Sequence, residues 1–233
     1  MLRQFTKLLF AIMLWMHAPQ AIAQQAPAPD RFAAEIATFD AADESHIDPC
    51  AVAFVGSSSI RLWRGLDADM APFAVLNRGF GGATIADVNY YFGDLLGRRT
   101  PRAIFFYAGE NDIANGQAPA DVVAGFRRFL ELKGNALGPT PVFFISLKPS
   151  RQRFAQIDAQ REVNRAIRRL ARSRRDLRFV DVASAMMTHG EPRDIFIEDG
   201  LHMNADGYAI WTRILRPLVA RAARRGACGA PSS

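Results

Sequence analysis

Cysteine is scarce, with Cys50 and Cys228 the only two in 233 residues. Two isolated thiols exclude the closely spaced ligand pairs of zinc and iron–sulfur sites, so no metal and no other cofactor is expected. Long apolar runs are missing as well. The run from Leu8 to Met16 falls far short of the ~20 residues that a bilayer-spanning helix needs. Histidine is rare, at four in the whole chain, so few side chains are suited to base work near neutral pH. Internal repeats are absent, and nothing in the composition marks a second folded unit.

What the N-terminus does carry is a basic start at Arg3 and Lys7, the short apolar run, and Ala21-Ile22-Ala23 ahead of a Gln/Ala/Pro stretch. That order is the grammar of a secretory signal peptide cut after Ala23. Residues 1–23 are therefore read as a cleaved signal, 24–46 as an extension with a lead-in helix, and 47–233 as one domain. The expected location is periplasmic or secreted. Removing 23 of 233 residues leaves 210, enough for one well-buried domain. Arg3 and Lys7 leave with the signal, so 27 basic residues face 23 acidic ones, a net of +4. Many arginines fall between Arg161 and Arg178, interleaved with Ile157, Ile167, Leu170 and Ala171 at helical spacing. This is the pattern of a solvated helix face, and no aromatic-and-basic motif accompanies it, so no nucleic-acid partner is expected. No stable membrane insertion is expected after cleavage either.

Five short apolar runs read as strands: Ala51–Gly56, Phe73–Asn77, Arg102–Ala108, Pro141–Leu147 and Arg178–Val182. Several are apolar throughout, as strands buried on both faces must be, and that points to a parallel sheet covered by helices. Helical patterns alternate with them, at Ile85–Gly97, Ala120–Leu137, Phe154–Arg175 and Ala205–Arg225. The alternation predicts an α/β fold, a three-layer α/β/α sandwich with right-handed crossovers. Cys50 then precedes the first strand at the amino-end face of the sheet. The last helix, with Tyr208, Trp211, Leu215, Leu218 and Ala222 as its buried stripe, should return Cys228 to that same face. A Cys50–Cys228 disulfide is predicted from this topology in an oxidising compartment.

Ligands of such sheets bind at the carboxyl ends of the strands, and four pieces lie there. Gly56-Ser57-Ser58-Ser59 precedes a helical turn, where free N–H groups favour a developing anion. A phosphate loop would need a lysine that is absent, and the G-x-S-x-G elbow fails at Ile60; a plain serine cap is the ordinary alternative. Asn77 to Thr84 carries Gly79, Gly81 and Gly82 before a helix. Gly109-Glu110-Asn111-Asp112 places an amide at a strand end, and Asp199-Gly200-Leu201-His202 lies before the last helix. Of His46, His189 and His202, only His202 has an acid three residues upstream in a Gly-containing turn. That spacing suits a carboxylate on Nδ1 and a serine hydroxyl on Nε2.

Together these blocks resemble those of the GDSL/SGNH hydrolase superfamily, across essentially the whole domain of residues 47–233. Gly56-Ser57-Ser58 is similar to G-D-S, with Ser57 where the family name implies Asp. Three consecutive serines result, so the choice of Ser58 rests on the register of this block. The glycine block nominates Gly82, while G-x-N-D and D-x-x-H match without change. The resemblance implies a flavodoxin-like five-stranded sheet and metal-independent cleavage of carboxylic esters or thioesters. It implies Ser58, Asp199 and His202 as catalytic residues, with an oxyanion hole from the Ser58 and Gly82 backbones and the Asn111 side chain. The expected partner is a small-molecule, glycan or lipid ester. The same residues serve a periplasmic O-acyltransferase. A non-catalytic glycan- or lipid-binding module is disfavoured, because dead copies usually lack a triad or oxyanion member. Phe80, Ile195 and Phe196 are candidate acyl-pocket residues; Arg78, Lys148, Arg151 and Arg153 are candidates for recognising an anion.

Overall fold

The computed structural model describes residues 31–43, 50–97 and 99–224. The signal-peptide reading, His46 and Cys228 therefore lie outside the described residues. In chain order the elements are α1 (Ala33–Asp43), β1 (Val52–Gly56), α2 (Ser58–Arg61), α3 (Leu66–Met70), β2 (Val75–Gly79) and α4 (Ile85–Tyr90). There follow β3 (Ile104–Tyr107), α5 (Glu110–Ala114), α6 (Pro119–Leu137), β4 (Val142–Ile145), α7 (Ile157–Arg172) and β5 (Leu177–Val180). A two-stranded ribbon of β6 (Met187–Thr188) and β7 (Glu191–Pro192) precedes α8 (Ala205–Ala223). Strands β1 to β5 form one sheet in the order β2-β1-β3-β4-β5, parallel at every pairing. The predicted α/β/α sandwich is the fold.

Alternation along the strands sends side chains to two cores. Ala53, Val55, Ile104, Phe106, Val142 and Phe144 pack with α4, α6 and α7, joined by Ile36 of α1. Val52, Phe54, Phe105, Tyr107 and Ile145 pack on the other face with Ile60, Trp63, Leu66 and Met70 and with α8. Continuous apolar strands thus bury both faces, which is why the sheet reads so clearly from sequence.

Differences from expectation are local. The pattern predicted as one helix over 85–97 is broken: α4 ends at Tyr90, and Gly93–Gly97 is a wider π turn. Glycine at both ends of that turn weakens an α continuation. The expected helix from Phe154 begins as a 3₁₀ turn and stops at Arg172, where Ser173 N–H bonds the Leu170 carbonyl. Helix α3, five residues long, is too short for a period to be read. In α8 the buried stripe is Ile210, Trp211, Leu215, Val219 and Ala222, with Tyr208 and Leu218 only partly covered. Asn204 caps its start by accepting from Gly207 N–H at 3.1 Å, and Pro217 does not interrupt the helix.

One glycine sets the geometry of the nucleophile block. Gly56 has φ +144°, and a Cβ there would stand 1.9 Å from the Tyr107 carbonyl oxygen. Only a residue without a side chain lets β1 leave the sheet this close to β3.

Helix α8 does run back to the amino-end face. Ala222 and Leu218 line a cavity of about 650 Å³ there with Pro101, Arg102 and Pro141, which precede β3 and β4. Cys50 precedes β1 on that face and is not a free thiol. Thiol titration of the denatured, unreduced protein tests the predicted Cys50–Cys228 pairing. No reactive thiol is expected without reductant and two are expected with it; two without reductant would overturn the bridge.

Candidate active site

Three consecutive serines leave β1, and the fold treats them differently. Ser57 is the N-cap residue of α2, its N–H donating to the Tyr107 carbonyl at 2.9 Å. Ser57 and Ser59 are buried, whereas Ser58 is partly exposed. Ser58 opens α2, so its N–H belongs to the first turn, where no intrahelical acceptor exists. Its Oγ lies 2.9 Å from His202 Nε2.

The His202 ring is held on its other side by Asp199 Oδ2, 2.5 Å from Nδ1. Asp199 Oδ1 accepts the backbone N–H groups of Leu201 and His202 at 2.8 and 2.9 Å. Gly200, at φ +65°, lets the loop bend so that the carboxylate faces its own backbone and the ring three residues on. Partial burial raises the Asp199 pKa, but the hydrogen bonds from His202 and Leu201 and the nearby imidazole outweigh it and hold it at about 2. It is an anion throughout the range in which imidazole titrates. His189, the other described histidine, sits exposed at the tip of the β6–β7 ribbon with φ +48°.

The glycine block brings Gly82 (φ +71°) and Ala83 to the same end of the sheet. Gly56 accepts the Phe80 N–H at 3.0 Å, which fixes the entry to this loop. From α1, Glu35 accepts Gly81 N–H at 3.1 Å and an Arg61 N–H at 3.4 Å, so the N-terminal extension braces both the glycine loop and α2. Asn111, in the first turn of α5, donates one amide N–H to the Ala83 carbonyl at 2.9 Å. Its carbonyl oxygen accepts from Arg153 at 3.0 Å. The second N–H of the Asn111 amide is then left for a ligand.

Several expected recognition residues are spent elsewhere. Phe80 is fully buried with Phe32 and Tyr91 around its ring. Ile195 and Phe196 belong to the core beneath α8. Arg78 is buried below the Phe39 ring, and Arg151 pairs with Asp194 at 2.8 Å. Lys148 is completely buried with Glu110 at 3.3 Å. Strand-end position alone had made these look available. The unusual signal in the sequence was Lys148 itself, closing an apolar strand where a lysine has to find an acid.

A serine hydroxyl, an imidazole and a carboxylate in series, beside a free amide at the carboxyl end of a parallel sheet, form the equipment of an acyl-bond hydrolase. The chain belongs to the GDSL-like lipase/acylhydrolase family, whose model matches residues 50–210. It is thus an enzyme acting on ester bonds. No curated protein matches the chain significantly in sequence. Among solved structures, a GDSL-like lipase from Bacteroides thetaiotaomicron is 20% identical, with TM-score 0.68 over 83% of this chain and 98% of that one. A carbohydrate esterase of family 3 from Talaromyces cellulolyticus is 15% identical, with TM-score 0.62 over 76% of this chain and all of that one. A catalytic mutant of an acetylxylan esterase from Geobacillus stearothermophilus is 13% identical, with TM-score 0.59 over 75% and 95% of the two chains. At these identities the likeness is one of fold.

The last member of the G-x-N-D block has a structural task. Both carboxylate oxygens of Asp112 accept Ile85 N–H, at 3.1 and 3.2 Å, at the start of α4. Burial pushes its pKa up, and Asp87 adds to this; bonds from the backbone of Ile85 and Asp112 counter only part, leaving it at about 6. A folded-state pKa above the unfolded value of 3.8 gives stability that is complete below about pH 4 and is lost as pH rises through about 6. Asp112→Asn keeps an acceptor for Ile85 and removes this loss. Denaturation from pH 4 to 7 should show the variant gaining on the wild type by up to about 3 kcal/mol, the equivalent of a two-unit shift. An unchanged difference across that range would place the ionisation elsewhere.

Proposed function

We propose that the chain is an exported esterase that works through a Ser58–His202–Asp199 triad and an acyl-enzyme. The observation carrying this reading is the unbroken series from Ser58 Oγ to His202 Nε2 at 2.9 Å and from His202 Nδ1 to Asp199 at 2.5 Å. Ser58 attacks the ester carbonyl while His202 Nε2 takes the hydroxyl proton, and Asp199 supports the imidazolium without becoming protonated. Charge developing on the carbonyl oxygen is met by the N–H groups of Ser58 and Gly82 and by the free N–H of the Asn111 amide. Collapse expels the alcohol, which leaves with the proton from His202. Water, deprotonated by the same ring, then attacks the acyl-enzyme, and the carboxylic acid departs as Ser58 is restored.

A short acyl group suits this site. The three candidate acyl-pocket side chains, Phe80, Ile195 and Phe196, are closed into the cores and are not available to line an acyl channel, which leaves Ile197 as the exposed large apolar side chain beside the D-x-x-H turn. Export follows from the N-terminal grammar of residues 1–23, with a periplasmic or secreted location and a mature start at Gln24. Residues 24–46 then form the extension that carries α1, ahead of the single hydrolase domain.

Nitrophenyl esters of increasing chain length, run beside acetylated sugars and lysophospholipid, test the substrate. Rates should fall with acyl length, and lysophospholipid as the best substrate would overturn the short-acyl reading. Ser58→Ala should lower kcat by up to roughly 10⁶-fold if the triad acts as a unit, while Ser59→Ala retains substantial activity. A dead Ser59→Ala beside a live Ser58→Ala would displace the nucleophile. Asn111→Ala should cost about 10²–10³-fold in kcat with folding retained. Edman sequencing of the protein recovered outside the cytoplasm should begin at Gln24.

A further inference from the structure

Lys148 is an expensive residue to place where it stands, and the reaction just described does not use it. It follows β4, is completely buried, and has its pKa lowered by that burial, with Glu110 acting in the opposite direction. Its ammonium meets Glu110 at 3.3 Å and lies 5.6 Å from the centre of the Phe196 ring. It also donates to the Leu201 carbonyl at 2.9 Å. Leu201 lies between Asp199 and His202, and Glu110 directly precedes Asn111. Glu110 in turn accepts the buried Tyr107 hydroxyl at the end of β3. One ammonium therefore touches the loop of the base and the turn of the oxyanion donor together, and the carboxylate between them is anchored to the sheet.

We propose that the buried Lys148–Glu110 pair is a positioning device that sets His202 and Asn111 in register with each other for the attack on the ester. This rests on the triad reading above. Neither residue touches substrate. Lys148 holds the D-x-x-H loop through the Leu201 carbonyl, and Glu110 holds Lys148 to the first turn of α5. A buried ion pair is weak as a source of stability, because desolvation of both charges offsets much of their attraction. Exact placement is where such a pair can matter, since displacing reacting groups by about 1 Å can cost roughly 10²-fold in rate. The loop has other tethers, including Gln152 N–H to the Gly200 carbonyl at 3.0 Å and the Arg151–Asp194 pair. The lysine is thus one of several tethers on this loop.

The test removes both charges together, because Lys148→Met by itself would strand the Glu110 carboxylate. In Glu110→Gln/Lys148→Met the glutamine still accepts from Tyr107. The double variant should fold cooperatively and melt within a few degrees of the wild type. On a short nitrophenyl ester its kcat should fall about 10- to 100-fold with KM within roughly twofold, a loss of placement rather than of binding. Phosphonylation of Ser58 by a nitrophenyl phosphonate should slow in parallel, and the downfield proton signal of the His202–Asp199 hydrogen bond should broaden. Adding Asn111→Ala to the double variant should cost clearly less than Asn111→Ala costs the wild type, because both act through the same amide. A folded double variant with wild-type kcat overturns the proposal, as does one that no longer folds, which would make the pair a stability element. If Ser58→Ala is dead while the double variant is fully active, only the positioning role falls. If Ser58→Ala is fully active, the triad falls first.

Discussion

Gly56 lies with its Cα against the Tyr107 carbonyl, and most of the site is arranged around that contact. The same carbonyl accepts Ser57 N–H, while the Gly56 carbonyl accepts Phe80 N–H. A single bare residue thus joins the carboxyl ends of β1 and β3 and the loop after β2. Ser58 follows as the first residue of a four-residue helix, with no freedom to choose another direction. The glycine loop is hung from the same point, and Gly79 at its start lies against the α2 backbone at Ile60 and Arg61. Backbone proximity of this kind is set by sterics rather than by attraction, so it is insensitive to salt or pH.

On this rigid floor the charged groups are graded by burial. Asp199 is partly exposed, saturated with hydrogen-bond donors, and stays ionised. Asp112 is buried beside Asp87 and rises towards neutrality while tying α5 to α4. Lys148 and Glu110 share an interior that would reject either alone. Three carboxylates within 90 residues of chain, counted from Glu110 to Asp199, are therefore given three different tasks by environment alone. Around them, α1 reaches over the glycine loop through Glu35, and Arg31 pairs with Asp87. The extension ahead of the sheet is accordingly part of the site's support.

Much of this was legible in the residues themselves. Continuous apolar runs such as Ile104-Phe105-Phe106-Tyr107 bury both faces of a strand, so the parallel sheet could be read without any contact being known. The D-x-x-H turn brings carboxylate and ring together within four residues, and G-x-N-D places its amide at a strand end by local geometry. What failed was the inference from a strand-end position to an exposed side chain at five of the seven candidates, the other two being Arg151, which is exposed, and Arg153, which is partly so. Phe80, Ile195, Phe196, Arg78 and Lys148 all occupy strand ends, yet each is drawn inward by neighbours distant in sequence.

The sequence by itself determined the strands and the short-range pairs, because periodicity and turn chemistry act within a few residues. Tertiary structure alone decided which of Ser57, Ser58 and Ser59 faces His202, since that choice depends on the approach of β1 to β3 across 51 residues of chain, from Gly56 to Tyr107. It also decided that Lys148 would meet Glu110 and Leu201. Those partners lie 38 and 53 residues away, and no local pattern records a contact that exists only once the sheet has brought the ends of β3 and β4 side by side.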